Sequence, residues 1–316
     1  MRHYGLLWFG AMIAIVGASV AVRGPAAAPD PLPPTSVAWT ATPAPTREPT
    51  ADATAGPAVA TLTPVPTATA GAVLDPARRV PVLEYHYSTF ALNDDVQMTT
   101  EWFEAQMASL AVGGYHTLTG AEFAAYVRGE HPVPARSVVL RFDVGESHFD
   151  DYATVIVPAL RRYGLHGVFF VLASRTHDDC DGLRACWPTL VAWVDEGLIS
   201  LESHSLWHLD YRELPPEQIV ADAMQSKALI EAKTGVAVHG LCYPFDSVNP
   251  AAFAILHDLG YAYAVAGPTR AERSVLPADP DPYNLPSYYP YASPARYPLL
   301  IGAAWTFEEM LIAATQ

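Results

Sequence analysis

Three short stretches hold side chains able to do chemistry together. In RFDVG, Asp143 follows the apolar run SVVL. An Asp just ahead of a Gly ordinarily marks a turn, because both residues tolerate turn backbone angles. Whether Asp143 is a working carboxylate therefore depends on what joins it. HSLWH supplies His204 and His208, spaced four apart. If the chain turns into helix there, both imidazoles face one side and hold one metal ion. A pair of surface or capping histidines is the bland alternative. A metal that activates water also needs a carboxylate to take the water's proton, and Asp143 is the nearest candidate.

These residues share a placement. Candidate strands read VPVLEYH (80–86), SVVLRF (137–142), GVFFVL (167–172), LISLES (198–203), VHGLCY (238–243) and YAYAVA (261–266). Helical patterns lie near 100–112, 153–163, 188–196, 216–233 and 250–259. Near-continuous apolar strands alternating with helices predict a parallel sheet covered on its faces, as a barrel or a doubly wound sheet. His86, Asp143, His204 and the pair Pro244 and Phe245 all fall at C-terminal strand ends, where such folds gather their sites.

Composition bounds the rest. The segment 1–23 has a basic start and an apolar run from Gly5 to Val22, which predicts an export signal or a membrane anchor. Residues 24–77 are rich in Pro, Thr and Ala and lack the large apolar side chains a core requires, so a disordered linker is expected ahead of one folded domain at 78–316. The formal charge of -15 argues against nucleic acid as a partner. Of the three cysteines, Cys180 and Cys186 share one polar loop and suit a short disulfide outside the cytoplasm. Cys242 sits in an apolar run and reads as a small buried residue.

The blocks PVLEYH, TTEWFEAQMASLAVGGYHTLTGAEF, RFDVG, YGLHGVFFVL, HSLWH, EAKTGVAVHGLCYPF and LHDLGYAYAVA, in that order, resemble polysaccharide deacetylases of the NodB-homology type. They are most similar to the exported poly-N-acetylglucosamine deacetylase branch. The resemblance runs from about Val80 to about Tyr291. It implies a distorted (β/α) barrel, usually of seven strands, that removes acetyl groups from N-acetylated polysaccharides or oligosaccharides. It also implies a divalent metal, usually zinc, held by one Asp and two His. By position, Asp143 matches the family's base, and His204 and His208 match its metal ligands. The backbone N–H of Phe245 would steady the oxyanion. Tyr243 and Pro244 would shape the acetyl pocket, and His86 would lie on the substrate side.

Several positions depart from the family pattern. Val144 stands where the family has its ligand Asp, Arg141 replaces the usual Thr, and Ser287 stands where relatives commonly carry an Arg. The family's late His, the usual general acid, has no counterpart after His257, which lies in a helical pattern. ESHFDD reads as a lengthened loop whose Glu146, His148 or Asp150 would be the substitute ligand. Two expectations follow. One is an exported, metal-dependent deacetylase with a rearranged third ligand. The other is a barrel without its metal, kept as a carbohydrate-binding or scaffold module of the envelope.

Overall fold

A computed structural model describes residues 80–85, 100–145, 149–182, 184–267, 281–288, 290, 307 and 311. The expected anchor and linker, and the candidates His86, Glu146 and His148, lie outside the described residues. The strands are β1 (Val82–Tyr85), β2 (His116–Thr117), β3 (Ser137–Val144), β4 (Gly167–Val171), β5 (Ile199–Ser203), β6 (Gly240–Cys242), β7 (Tyr263–Ala266) and β8 (Leu285–Tyr288). Every pairing is parallel. Because β1 pairs with both β3 and β8, seven strands close in the order β1-β8-β7-β6-β5-β4-β3, and β2 adds to the edge of β3 beside β1. The result is the distorted (β/α) barrel, not the doubly wound sheet.

The period of two along each strand sorts side chains into two cores. On β3, Leu140, Phe142 and Val144 point outwards to the helices and pack with Phe149, Tyr152 and Phe169. Val139 points inwards with Val168, Phe170, Tyr263 and Leu285. Gly240 makes room for this inner packing, since a Cβ there would lie 2.2 Å from the Tyr263 ring. Helix α1 is Thr100–Val112, and α2, Gly120–Val127, closes the barrel floor by setting Phe123 edge-on to Tyr263 at 4.8 Å.

The helix after β3 runs without interruption through α3 (Phe149–Asp151), a π-helical turn (Tyr152–Ile156) and α4 (Val157–Tyr163). The expected loop ESHFDD is therefore shorter than its sequence suggested, because Asp150 already lies in the helix. Helices α5 (Trp187–Asp195), α6 (Pro216–Thr234) and α7 (Ala251–Asp258) complete the outer layer. Cys180 and Cys186 are joined by a disulfide just ahead of α5.

Candidate active site

Asp143 is not a turn residue. It lies within β3, one place before the strand ends, with its side chain inside the barrel and only 7% of its surface exposed. A carboxylate so placed needs partners, and Arg141, two residues earlier on the same inward face, supplies a fork. Arg141 Nε donates to Asp143 Oδ1 at 2.9 Å and Nη2 to Oδ2 at 2.7 Å. Its Nη1 donates to Glu84 Oε2 at 2.6 Å and to Ser287 Oγ at 2.7 Å, and Nη2 also reaches Asp246 Oδ1 at 3.3 Å. Burial works against the guanidinium charge, but Asp143, Glu84 and Asp246 outweigh it and hold its pKa well above the ordinary value. Gly267 admits Asp246, whose carboxylate occupies the space a Cβ would need. Tyr152, in the π-helical turn, donates its hydroxyl to the Asp143 carbonyl at 2.8 Å, which fixes the end of β3 from outside.

The two histidines arrive on a loop, not on the helix that would have aligned them. His204 follows β5, and His208 takes a left-handed backbone with φ of 57°. Asp222 on α6 holds this loop. Its carboxylate accepts the N–H of Leu206 at 3.0 Å, the N–H of Trp207 at 3.1 Å and the Tyr211 hydroxyl at 2.9 Å. Ser205 Oγ accepts the N–H of His208 at 2.9 Å. The rings of His204 and His208 consequently lie 4.8 Å apart, edge to face. Burial first, and then neighbouring His204, pushes the His208 pKa down to about 4, so the imidazole is neutral near pH 7 with a lone pair to offer.

His204 Nδ1 lies 3.2 Å from the Cys242 carbonyl oxygen. A carbonyl can only accept, so Nδ1 carries the proton and Nε2 keeps its lone pair. That Nε2 lies 3.9 Å from Asp143 Oδ2. Cys242 Sγ lies 3.5 Å from each Asp143 oxygen. The oxygen, nitrogen and sulfur donors of Asp143, His204 and Cys242 all fall within 4.8 Å of one another, and all three residues are buried. This donor set fits a small divalent cation. His208 stands outside the trio and packs its ring on His204 and on Phe245, at 4.5 Å from the latter.

Phe245 is 63% exposed at the barrel mouth and has φ of 59°. Pro244 beside it is buried. Tyr243 departs from its expected place in a pocket. Its ring is fully buried in the outer core, and its hydroxyl donates to the Tyr283 carbonyl at 2.9 Å. The alternation that sends Cys242 inwards sends Tyr243 outwards. Val144 is likewise fully buried in the outer core and offers no donor atom. Among the described non-glycine residues with positive φ, Ser205, His208, Phe245 and Asp246 flank this site, and only Arg136 lies elsewhere. Such strain persists where surrounding contacts over-determine the backbone, most often at functional sites.

Reading the sequence missed Arg141, Glu84, Asp246, Asp222 and Cys242 as parts of the site. Period-two counting back from Asp143 would have found Arg141, since a charged residue inside an apolar strand needs a partner. Asp222, in mid-helix and distant in sequence, gives no such signal.

Residues 130–264 match the family model for polysaccharide deacetylase. The Bacillus subtilis (strain 168) protein YxkH, whose name carries the same family, is 26% identical over 188 residues, covering 59% of this chain. The chain spans 64% of the length of that curated relative. Among solved structures, Streptococcus pyogenes deacetylase PplD in complex with acetate aligns with a TM-score of 0.63 at 17% identity, covering 77% of this chain and 100% of the other. IcaB from Ammonifex degensii aligns with a TM-score of 0.56 at 19% identity, covering 75% and 97%. Both likenesses concern the fold.

Proposed function

We propose that this chain, whose residues 130–264 match the polysaccharide deacetylase family model, hydrolyses N-acetyl groups of an amino-sugar polymer outside the cytoplasm. The observation that carries this reading is the meeting of Asp143, held by the Arg141 fork, with His204 at the C-terminal mouth of the barrel. The N-terminal sequence, with its basic start and apolar run, supports export or membrane anchoring.

A divalent ion, with zinc the best match to the donors, would polarise the amide carbonyl and make water a stronger nucleophile when bound. Asp143 and His204 belong to its holding set, with His208 alongside. The protein's own work is then positional. Asp143 accepts the proton of the attacking water, and Arg141 keeps that carboxylate aimed into the barrel. The backbone N–H of Phe245 serves the oxyanion that forms at the carbonyl. The exposed Phe245 ring and Pro244 line the approach to it.

A second reading, a carbohydrate-binding barrel without catalysis, is favoured by Val144 alone, because the family's ligand Asp is replaced there by a core side chain. Acetate release from chitooligosaccharides and poly-N-acetylglucosamine by the zinc-loaded full-length protein separates the two. Deacetylation predicts turnover that falls by about 10²–10⁴-fold in Asp143→Asn. Binding of these polymers with no acetate released would establish the second reading instead.

A further inference from the structure

We infer that Cys242 is a metal ligand, and that its thiolate on β6 takes the place of the carboxylate missing at Val144. This deepens the deacetylase reading and rests on it for the metal's use, though not for the metal's binding. Val144 cannot be replaced by a neighbour on its own strand face, because that face looks into the outer core. Among the described residues, the side chains placed to fill the vacant coordination role lie inside the barrel. Among the described residues, the group of His, Cys, Asp and Glu donors close enough to share an ion is Asp143, His204 and Cys242.

The distances support ligation. With metal–sulfur bonds of about 2.3 Å and metal–oxygen bonds of about 2.0 Å in a tetrahedral site, sulfur and oxygen ligands lie about 3.5 Å apart. Cys242 Sγ stands 3.5 Å from both Asp143 oxygens. Nitrogen and oxygen ligands lie about 3.3 Å apart on the same basis, and His204 Nε2 closes to that from 3.9 Å with a small ring movement. Cys242 also prepares the imidazole, since its own carbonyl accepts the Nδ1 proton and leaves Nε2 free to ligate.

The acceptor capacity of Asp143 matches both of its roles. A carboxylate has about four lone-pair sites, and Arg141 uses one on each oxygen. Oδ2, the oxygen nearer His204, faces the ion, and Oδ1 retains a site for the water's proton. Charge points the same way. Glu84, Asp143 and Asp246 surround a single guanidinium, a formal excess of two negative charges that a thiolate at Cys242 raises to three, and a divalent cation would offset two of them. Ligation converts the thiol to thiolate and releases its proton to solvent. A sulfur donor also shifts preference away from magnesium and manganese and towards zinc or cobalt.

The test uses Co(II) as an optical probe for the metal in full-length protein. The expected result is one equivalent of Co(II) with a sulfur-to-cobalt charge-transfer band in the near ultraviolet, displaced by zinc. Cys242→Ser should abolish the band and weaken zinc binding at least about 100-fold in a chelator competition. Co(II) bound by wild type with no charge-transfer band overturns the inference even if the variant does not fold, and so does wild type that binds no metal. Zinc affinity unchanged in a folded Cys242→Ser overturns it as well. A strong band without acetate release would defeat the deacetylase reading and leave the thiolate ligand standing. Acetate release that persists in Cys242→Ser would do the reverse.

Discussion

Arg141 donates from Nη1 to Ser287 Oγ at 2.7 Å. These are two of the positions at which the sequence departs from the polysaccharide deacetylase pattern, and they touch inside the barrel. The guanidinium that reaches Ser287 on β8 rises from β3 and also holds Asp143 and Glu84. Two departures that look independent in sequence are in contact in space.

If they are one exchange, reversing both should be milder than reversing one. Arg141→Thr removes the guanidinium paired with buried Asp143 and Glu84, which should cost about 3–5 kcal/mol in urea unfolding. Adding Ser287→Arg returns a guanidinium to the same carboxylates and should recover a substantial part of the loss. Additive effects of the two changes would show that the contact carries no coupling.

Restoring the family's residue at 144 should fail for a different reason. Val144 is fully buried against the helices, and its carbonyl accepts the Leu172 N–H at 2.9 Å. Val144→Asp therefore places an unpaired carboxylate in the outer core, where burial costs several kcal/mol. The expected outcome is a lower unfolding midpoint with no gain in zinc affinity. A stable variant that binds zinc more tightly would mean that this side chain can swing into the barrel mouth.

Much of this architecture was legible because burial on both faces of a parallel sheet writes itself as apolar runs. The strands β1, β3, β4, β5, β6 and β7 were each placed within a few residues, as were five helices. Three elements escaped, the shortest being the two-residue strand β2 (His116–Thr117). Strand β8 is LPSY, and its Pro286 is a poor sign of a strand. Helix α2 carried its own signal in Thr119 and Glu122, a capping box that the structure forms with bonds of 3.1 Å and 2.9 Å. The site was half legible. Asp143 and His204 announce themselves at strand ends, whereas Glu84 and Asp246 meet Arg141 only through closure of the ring, and Asp222 reaches the histidine loop from α6.

Asp222 offers a check on how the histidine loop is held. Removing its carboxylate in Asp222→Ala takes the acceptor from the buried N–H of Leu206, at about 1–3 kcal/mol, and from the part-buried N–H of Trp207, at less. Asp222 touches none of the donor trio, yet metal affinity should fall about 10–100-fold because His204 and His208 lose their fixed backbone. Asp222→Asn, which keeps one acceptor oxygen, should retain more of both properties. Metal affinity unchanged in a folded Asp222→Ala would show that the loop is positioned by other contacts.

Glu202 provides the pH signature. It is fully buried inside the barrel, where burial pushes its carboxyl up to about 8 against the pull of the Gly240 and His239 N–H groups, both 2.6 Å from Oε2. The unfolded chain releases this proton near pH 4.5, whereas the folded chain keeps it until about pH 8. Between those limits the native state binds more protons than the unfolded state, so stability falls as pH rises and levels off above about pH 8. The slope from this one group reaches about 1.4 kcal/mol per pH unit. Glu202→Gln keeps an acceptor oxygen for the two N–H groups and cannot ionise. Urea unfolding from pH 5 to 9 should therefore show wild type losing stability relative to Glu202→Gln across this window. A constant difference between the two proteins would mean that Glu202 is already ionised in the folded barrel at the acid end, held by those N–H groups.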